Sequence, residues 1–283
     1  MAAAQRRSSH WREAWTKWWA HYKVGVRRLL FFVLLLGAWE LAYRLRLWPS
    51  YIFPAPSEVL DTLANGLMHR NFHIGILGSL RRLLMGYTIA LGVGLVLGLL
   101  MGQLRWLRDT LGLLVLGLQT LPSICWLPLA ILWFGLNERA ILFVVVMGAV
   151  LSIAQATEDG VRNTPPLYLR AARNLGARGW RLYFSVILPA ALPSIATGMK
   201  LGWAFAWRSL MAGELLYALP GLGNLLTMGR ELNDMSQVVA VMVIIIALGL
   251  LTDRLLFATM ERWIRERWGL LQVDEVTGVG RRK

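Results

Sequence analysis

The chain has 283 residues, of which 57% are hydrophobic and only 16% charged, with a mean hydropathy of +0.52. A soluble domain needs roughly 25% charge to cover its surface, so composition argues against a water-soluble fold and makes the bilayer the solvent. The net charge of +14 reads as membrane-flanking anchors rather than a nucleic-acid footprint, and the single cysteine, Cys125, rules out an internal disulfide or a Cys-based metal site.

In chain order, residues 1–26 form a basic segment, followed by an apolar run from Leu29 to Trp39. That pattern imitates a secretory signal. No small-x-small cleavage site follows, and Glu40 and Arg44 continue a helical pattern as an i, i+4 pair. The reading is an uncleaved signal-anchor helix over 27–45. Further stretches long enough to cross the hydrocarbon core lie at about 83–103, 111–134, 140–157, 191–214 and 237–257. The fold class is therefore an all-α integral membrane protein with six transmembrane helices. His69 and His73 are spaced i, i+4 before the second span, but no third ligand accompanies them and no metal site is expected.

In the second span, Gly94, Gly98 and Gly102 form two overlapping GxxxG units on one face, which suits close helix packing. The third span contains Pro122 and Pro128. Each removes a backbone donor and disturbs the helix, and the kinks either line a pathway or shape the bundle. With the N-terminus inside, 21 Arg and Lys flank the spans on that side against seven on the other. Both termini are then cytoplasmic, as are the insert at 158–190 and the basic tail at 261–283.

Within the insert, Thr164 suits an N-cap and Pro165 a first helical position, while Gly176 ends the helix about three turns later. Leu167, Ala171, Ala172 and Leu175 give it a small apolar face, surrounded by Arg170, Arg173, Arg178 and Arg181. Leu188-Pro189 then turns the chain back into the membrane. Such a helix either lies on anionic lipid or touches a partner. In the fifth span, Arg208 costs about 2.5–3.5 kcal/mol on insertion scales, so it normally faces protein or water. It either lines a pathway, helping an anion through, or pairs with an acid such as Glu214. Trp203 and Trp207 either contact substrate or fill space, and Glu214 is either a gate salt bridge or a solvated helix end.

The insert resembles the EAA loop of bacterial ABC-importer permeases, whose pattern is E-A-A, three residues, G, nine residues, I-x-L-P. Ala171, Ala172, Gly176, Leu188 and Pro189 match in register, Val186 takes the isoleucine position, and Arg170 stands where glutamate is usual. Phe53-Pro54-Ala55-Pro56-Ser57-Glu58-Val59 resembles a segment of the nitrate, sulfonate and taurine branch of that family. So do Leu127-Pro128-Leu129 with Ile131-Leu132-Trp133-Phe134-Gly135, and Glu214 with Gly221-Leu222-Gly223. The resemblance covers about residues 50–270.

That resemblance implies a permease core over 80–260, with a coupling helix in the loop around 164–189. It would dock on a separate ATPase through Leu169, Arg170, Ala171, Ala172, Arg173, Gly176, Leu188 and Pro189. Two copies of that ATPase, or two related ones, would hold ATP and magnesium. This chain lacks a G-x-x-x-x-G-K-[ST] loop, so it is expected to be a transport subunit rather than an enzyme, with no cofactor of its own. A second permease copy as a homodimer, an extracytoplasmic binding protein and a bacterial inner-membrane location are implied too. Residues expected along the pathway are Arg208, Trp203, Trp207, Glu214, Pro122 and Pro128, for a small anion such as nitrate, a sulfonate or taurine. An ion-coupled secondary transporter is the alternative, and needs an inverted repeat and intramembrane acids.

Overall fold

The computed structural model describes residues 25–49, 51–69, 71–217 and 219–267. The basic ends, and with them most of the expected tail at 261–283, lie outside the described residues. Every regular element within them is helical. In chain order these are α1 (25–44), α2 (Pro56–Met68), α3 (Asn71–Gln103), α4 (Arg105–Gln119), α5 (Ser123–Phe134) and α6 (Glu138–Arg162). They are followed by α7 (Pro166–Asn174), α8 (Gly179–Glu214), α9 (Leu222–Glu231) and α10. The last runs from Met235–Thr252 through a π turn, Asp253–Phe257, into Ala258–Arg267.

The chain divides into two compact units. In the first, the described residues up to Asn65 fold back on the end of α1. Trp39 Nε1 donates to the Pro54 carbonyl at 3.0 Å, and the Tyr43 hydroxyl donates to Glu58 Oε1 at 2.8 Å. Phe53 packs between Trp39 and Trp48. The same unit holds Gly229–Ala240, where Asp234 Oδ1 accepts from the Gln237 amide and caps the start of α10.

The second unit is built on α3, α6 and α8, and the reason is small residues on facing surfaces. The glycines read as a contact face do make one. A Cβ at Gly94 would lie 2.9 Å from Ile153 Cβ and from the Val150 carbonyl, and Gly98 and Gly102 abut Ala154, Thr157 and Val161. Only a residue without a side chain allows helix backbones this close. On its other side α6 meets α8 the same way: Gly202 faces Ile153 and Ala149, Gly198 faces Ala156, and Gly148 faces Ser209. Sandwiched between two helices, α6 has the most buried face, including Ile141, Val144, Val145, Ala149, Ile153 and Ala154.

These pairings give directions. Gly86 meets Val145 and Gly102 meets Val161, so α3 and α6 run parallel; Gly160 meets Ala191 and Gly213 meets Ile141, so α8 runs antiparallel to both. The chain must therefore travel back along the bundle between Gln103 and Glu138. The α4–α5 pair makes that return, and it is bent by 103°. A single kinked span over 111–134 is thus corrected to a broken one. Pro122 sits at φ −54°, ψ 135°, outside helical geometry, and the residue before a proline is disfavoured in the α region. Pro128 causes no kink: it lies in the first turn of a helical segment, where a missing N–H costs nothing.

Four single helices are long and apolar enough to cross a membrane, Phe72–Gln103, Glu138–Arg162, Gly179–Glu214 and Met235–Ile264, and the bent pair makes five. Among the described residues α1 does not join them, because Arg27, Arg28, Glu40 and Arg44 leave eleven uncharged residues between Arg28 and Glu40. Span ends also extend beyond the apolar windows. α3 alone rises about 50 Å over its 33 residues, and it starts at Asn71, twelve residues before the apolar stretch at 83.

Candidate functional site

Three places bring together the residues with chemistry. The first is the short helix α7, between the end of α6 and the start of α8. Its start is one residue later than the sequence suggests. Pro165 takes the cap position without a side-chain bond, and the Thr164 hydroxyl instead donates to the Gly160 carbonyl. Its end is as expected. Gly176 has φ +83°, its amide donates to Arg173 O at 3.0 Å, and the Ala177 amide donates to Ala172 O at 2.9 Å. These two bonds are the Schellman pattern that stops a helix at a left-handed residue.

Ala172 is buried and Leu169 half-buried, fixing α7 to the bundle, while Arg170, Ala171, Arg173 and the large apolar Leu167 and Leu175 are exposed. Beside it, Trp180 stacks on Phe184 at 5.7 Å, both exposed. A side chain such as Leu175, 88% exposed, is left uncovered by the other described residues. Leu188 and Pro189 do not turn the chain back into the membrane. Both lie inside the continuous α8, where the π turn at Tyr183–Ile187 precedes Pro189 and takes up its missing donor. Leu188 packs on Val161, Tyr183, Ala191 and Ile195.

The second place is the opposite end of the bundle. Glu214, 0% exposed, is neither a solvated helix end nor a partner of Arg208. Its Oε1 accepts from Arg82 Nη1 at 2.7 Å, and its Oε2 accepts from the Ser79 hydroxyl at 2.6 Å and the Gly223 amide at 3.0 Å. Ser79 Oγ accepts in turn from the Leu222 amide. Arg82 Nε lies 3.5 Å from Glu138 Oε1, so the network joins α3, α6, α8 and the start of α9. A Cβ at Gly221 would meet the carboxylate and one at Gly223 would meet the Cβ and backbone of Glu214, so neither position has room for a side chain. Nearby Tyr217 is buried, and burial pushes its hydroxyl above the ordinary range.

The third place is a cavity of about 300 Å³ beside the α4–α5 break. Arg208 lines it with residues 118–123, Trp126, Met147, Gly148, Leu151, Ser152 and Phe205. Its guanidinium rests 5.6 Å over the Phe205 ring. Of the other residues singled out near it, only Pro122 borders this cavity. Trp203 is buried instead between α3 and α10, edge-on to Tyr87 at 5.0 Å, with its Nε1 3.3 Å from the Thr252 hydroxyl. Trp207 is buried as well. Neither tryptophan lines the cavity.

Sequence reasoning missed Arg82 and Ser79, and it missed the Lys200–Asp253 pair at 2.8 Å between α8 and α10. The signal for the latter existed: a lysine and an aspartate, each inside an apolar stretch, need a partner. No group of three metal-ligating side chains occurs among the described residues.

Residues 92–265 match the family described as the binding-protein-dependent transport system inner membrane component. A probable ABC transporter permease protein of Brucella melitensis is 32% identical, over 83% of this chain and 94% of its own. The taurine transport system permease protein of Escherichia coli is 29% identical, over 81% and 85%. Among solved structures, a chain of the MetNI methionine ABC transporter in an inward-facing conformation superposes with a TM-score of 0.60 at 19% identity, over 70% of this chain and 97% of that one.

Proposed function

Because the chain belongs to the binding-protein-dependent transport system inner membrane components, a multi-pass permease subunit of an ABC transporter, we propose that α7 is its coupling helix, docking on a separate ATPase subunit. The observation that carries this is the exposed apolar and basic face of α7, held rigid by the Gly176 turn and left uncovered by the other described residues. A small rigid face that the fold does not bury is what a partner needs. Arg170, Ala171, Arg173 and Gly176 form the contact, Leu169 and Ala172 seat α7 from behind, and Leu188 and Pro189 anchor its return strut. Arg170 in place of an acid gives the contact a positive character, which an acidic groove on the partner would match.

On this reading α7 faces the cytoplasm. α10 runs parallel to α3 and α6 and ends on the α7 side, and the charge balance puts the N-terminus on the cytoplasmic side as well, which requires 27–45 to cross with the ends of Glu40 and Arg44 snorkelling to the interface. The ATPase, in two copies, binds ATP and magnesium and shifts the permease between inward- and outward-open populations. A second permease copy completes the pathway, and an extracytoplasmic binding protein delivers a small anion such as nitrate, a sulfonate or taurine.

Gly176→Leu tests the coupling role. A leucine at φ +83° costs about 1–3 kcal/mol, which tilts or frays α7 without touching the bundle. Transport-coupled ATP hydrolysis by the co-purified complex in proteoliposomes is expected to fall several-fold while the chain still inserts. Coupled hydrolysis at the wild-type rate would overturn the role and leave α7 as a lipid-surface helix.

A further inference from the structure

We propose that the cavity where α3, α6 and α8 meet, at the α7 end of the bundle, holds one anionic phospholipid of the cytoplasmic leaflet. The proposal rests on the coupling reading above only for the choice of leaflet. The cavity has a volume of about 530 Å³, within the range of ligand sites. Gln103, Val161, Arg162, Trp180, Tyr183 and Ile187 are among its lining residues. Its depth in the bilayer follows from the elements. Gln103 ends one membrane-crossing helix, Arg162 ends the next, and α8 opens at Gly179, which also lines the cavity. The apolar stretch of α3 runs as far as Gln103, so the excess length of that helix lies at its other end. A void at three such ends sits at the headgroup boundary rather than in the hydrocarbon.

The lining is amphipathic in the way a phospholipid is. Val161 and Ile187 give an apolar wall, continuous with Leu95 and Leu99 of α3. Trp180 stacks on Phe184, both exposed, and an exposed aromatic pair is stable where acyl chains meet headgroups. Positive charge flanks this wall. Arg162 is held by Glu158 and Asp159 at 3.4 and 3.6 Å. Arg178 and Arg181, on either side of Gly179 and Trp180, are exposed and form no ion pair among the described residues. No carboxylate lines the cavity. A further observation points inward. Tyr183 is 8% exposed and borders the cavity, yet its hydroxyl is buried with no hydrogen-bond partner among the described residues. Such a hydroxyl carries its full desolvation cost, and a phosphate or ester oxygen entering the cavity removes it. Arginines beside a gap between membrane helices are the chemistry that recognises a lipid phosphate. A soluble anion would use the arginines but gain nothing from the aromatic pair and the apolar wall.

The test counts lipids by native mass spectrometry on the full chain, co-purified with its ATPase in detergent. Titrated phosphatidylglycerol should be retained as a single copy per permease chain, in preference to phosphatidylcholine. Arg178→Gln and Arg181→Gln should each lower the phosphatidylglycerol affinity about fivefold and reduce that preference. Tyr183→Phe keeps the ring and removes only the hydroxyl, so it should weaken both lipids about fivefold and leave the preference unchanged. Ile187→Trp should fill the cavity and displace the lipid with both arginines in place. Equal retention of the two lipids by the wild type overturns the anionic site. Wild-type retention in both Tyr183→Phe and Ile187→Trp overturns the cavity and leaves the arginines attracting lipid diffusely. Displacement by millimolar glycerophosphate assigns the site to a soluble phosphate ester and overturns the lipid. A lipid seen only after the ATPase is stripped away gives the cavity to that partner and overturns it too. The coupling reading is judged separately: a chain that never co-purifies with an ATPase sinks that reading alone, because the lipid is then counted on the chain by itself.

Discussion

Glu214→Ala is expected to destabilise the folded chain by about 3–5 kcal/mol, the range for breaking a buried ion pair by removing one member. The reason is what stays behind. Arg82 would keep a nearly buried guanidinium with only Glu138 Oε1 at 3.5 Å, while the Ser79 hydroxyl and the Gly223 amide lose their acceptor. Unsatisfied buried donors each carry their full desolvation cost. Thermal unfolding in detergent or nanodiscs should show a large drop in midpoint. Glu214→Leu combined with Arg82→Met should recover much of the loss, because removing both charges removes the orphan. A midpoint unchanged by Glu214→Ala would mean that the network does not hold the ends of α3 and α8 together.

Gly98→Leu should abolish assembly of the bundle, whereas Gly92→Leu on the same helix should leave it intact. The two glycines are chemically identical and six residues apart, so propensity predicts equal effects. Packing predicts opposite ones. A side chain at Gly98 runs into the Ala154 carbonyl and Thr157, while at Gly92 nothing lies within 4 Å. Overpacking costs about 1–3 kcal/mol where neighbours can yield. A carbonyl on a buried helix yields little, so the α3–α6 seam must open. Yield of monodisperse protein and its unfolding midpoint distinguish the two variants, and equal midpoints would remove the seam as the basis of the fold.

Both experiments concern features that were unequally visible beforehand. The glycine seam was legible, because GxxxG is a local pattern and its physical meaning in lipid is nearly unique. The turn at Gly176 was legible for the same reason: a left-handed helix stop is a property of one residue and its neighbours. The cap shifted by one residue, from Thr164 to Pro165, because the Thr164 hydroxyl found a competing acceptor in the Gly160 carbonyl. Leu188-Pro189 misled, since a proline near a helix start signals a turn unless a π turn upstream absorbs it.

What the sequence determined by itself is therefore what short-range physics controls: a bilayer as solvent, the approximate apolar helices, the seam glycines, and a stiff exposed helix between the α6 and α8 stretches. The tertiary structure decided which charges meet. Ser79 and Arg82 lie more than 130 positions from Glu214, and Lys200 lies 53 from Asp253. No local pattern encodes such pairings, because they follow from the parallel course of α3 and α6 and the antiparallel return of α8. The same geometry broke one expected span in two. Arg208 is the one intramembrane cation among those three with no ion-pair partner among the described residues, and it lines the cavity beside that break.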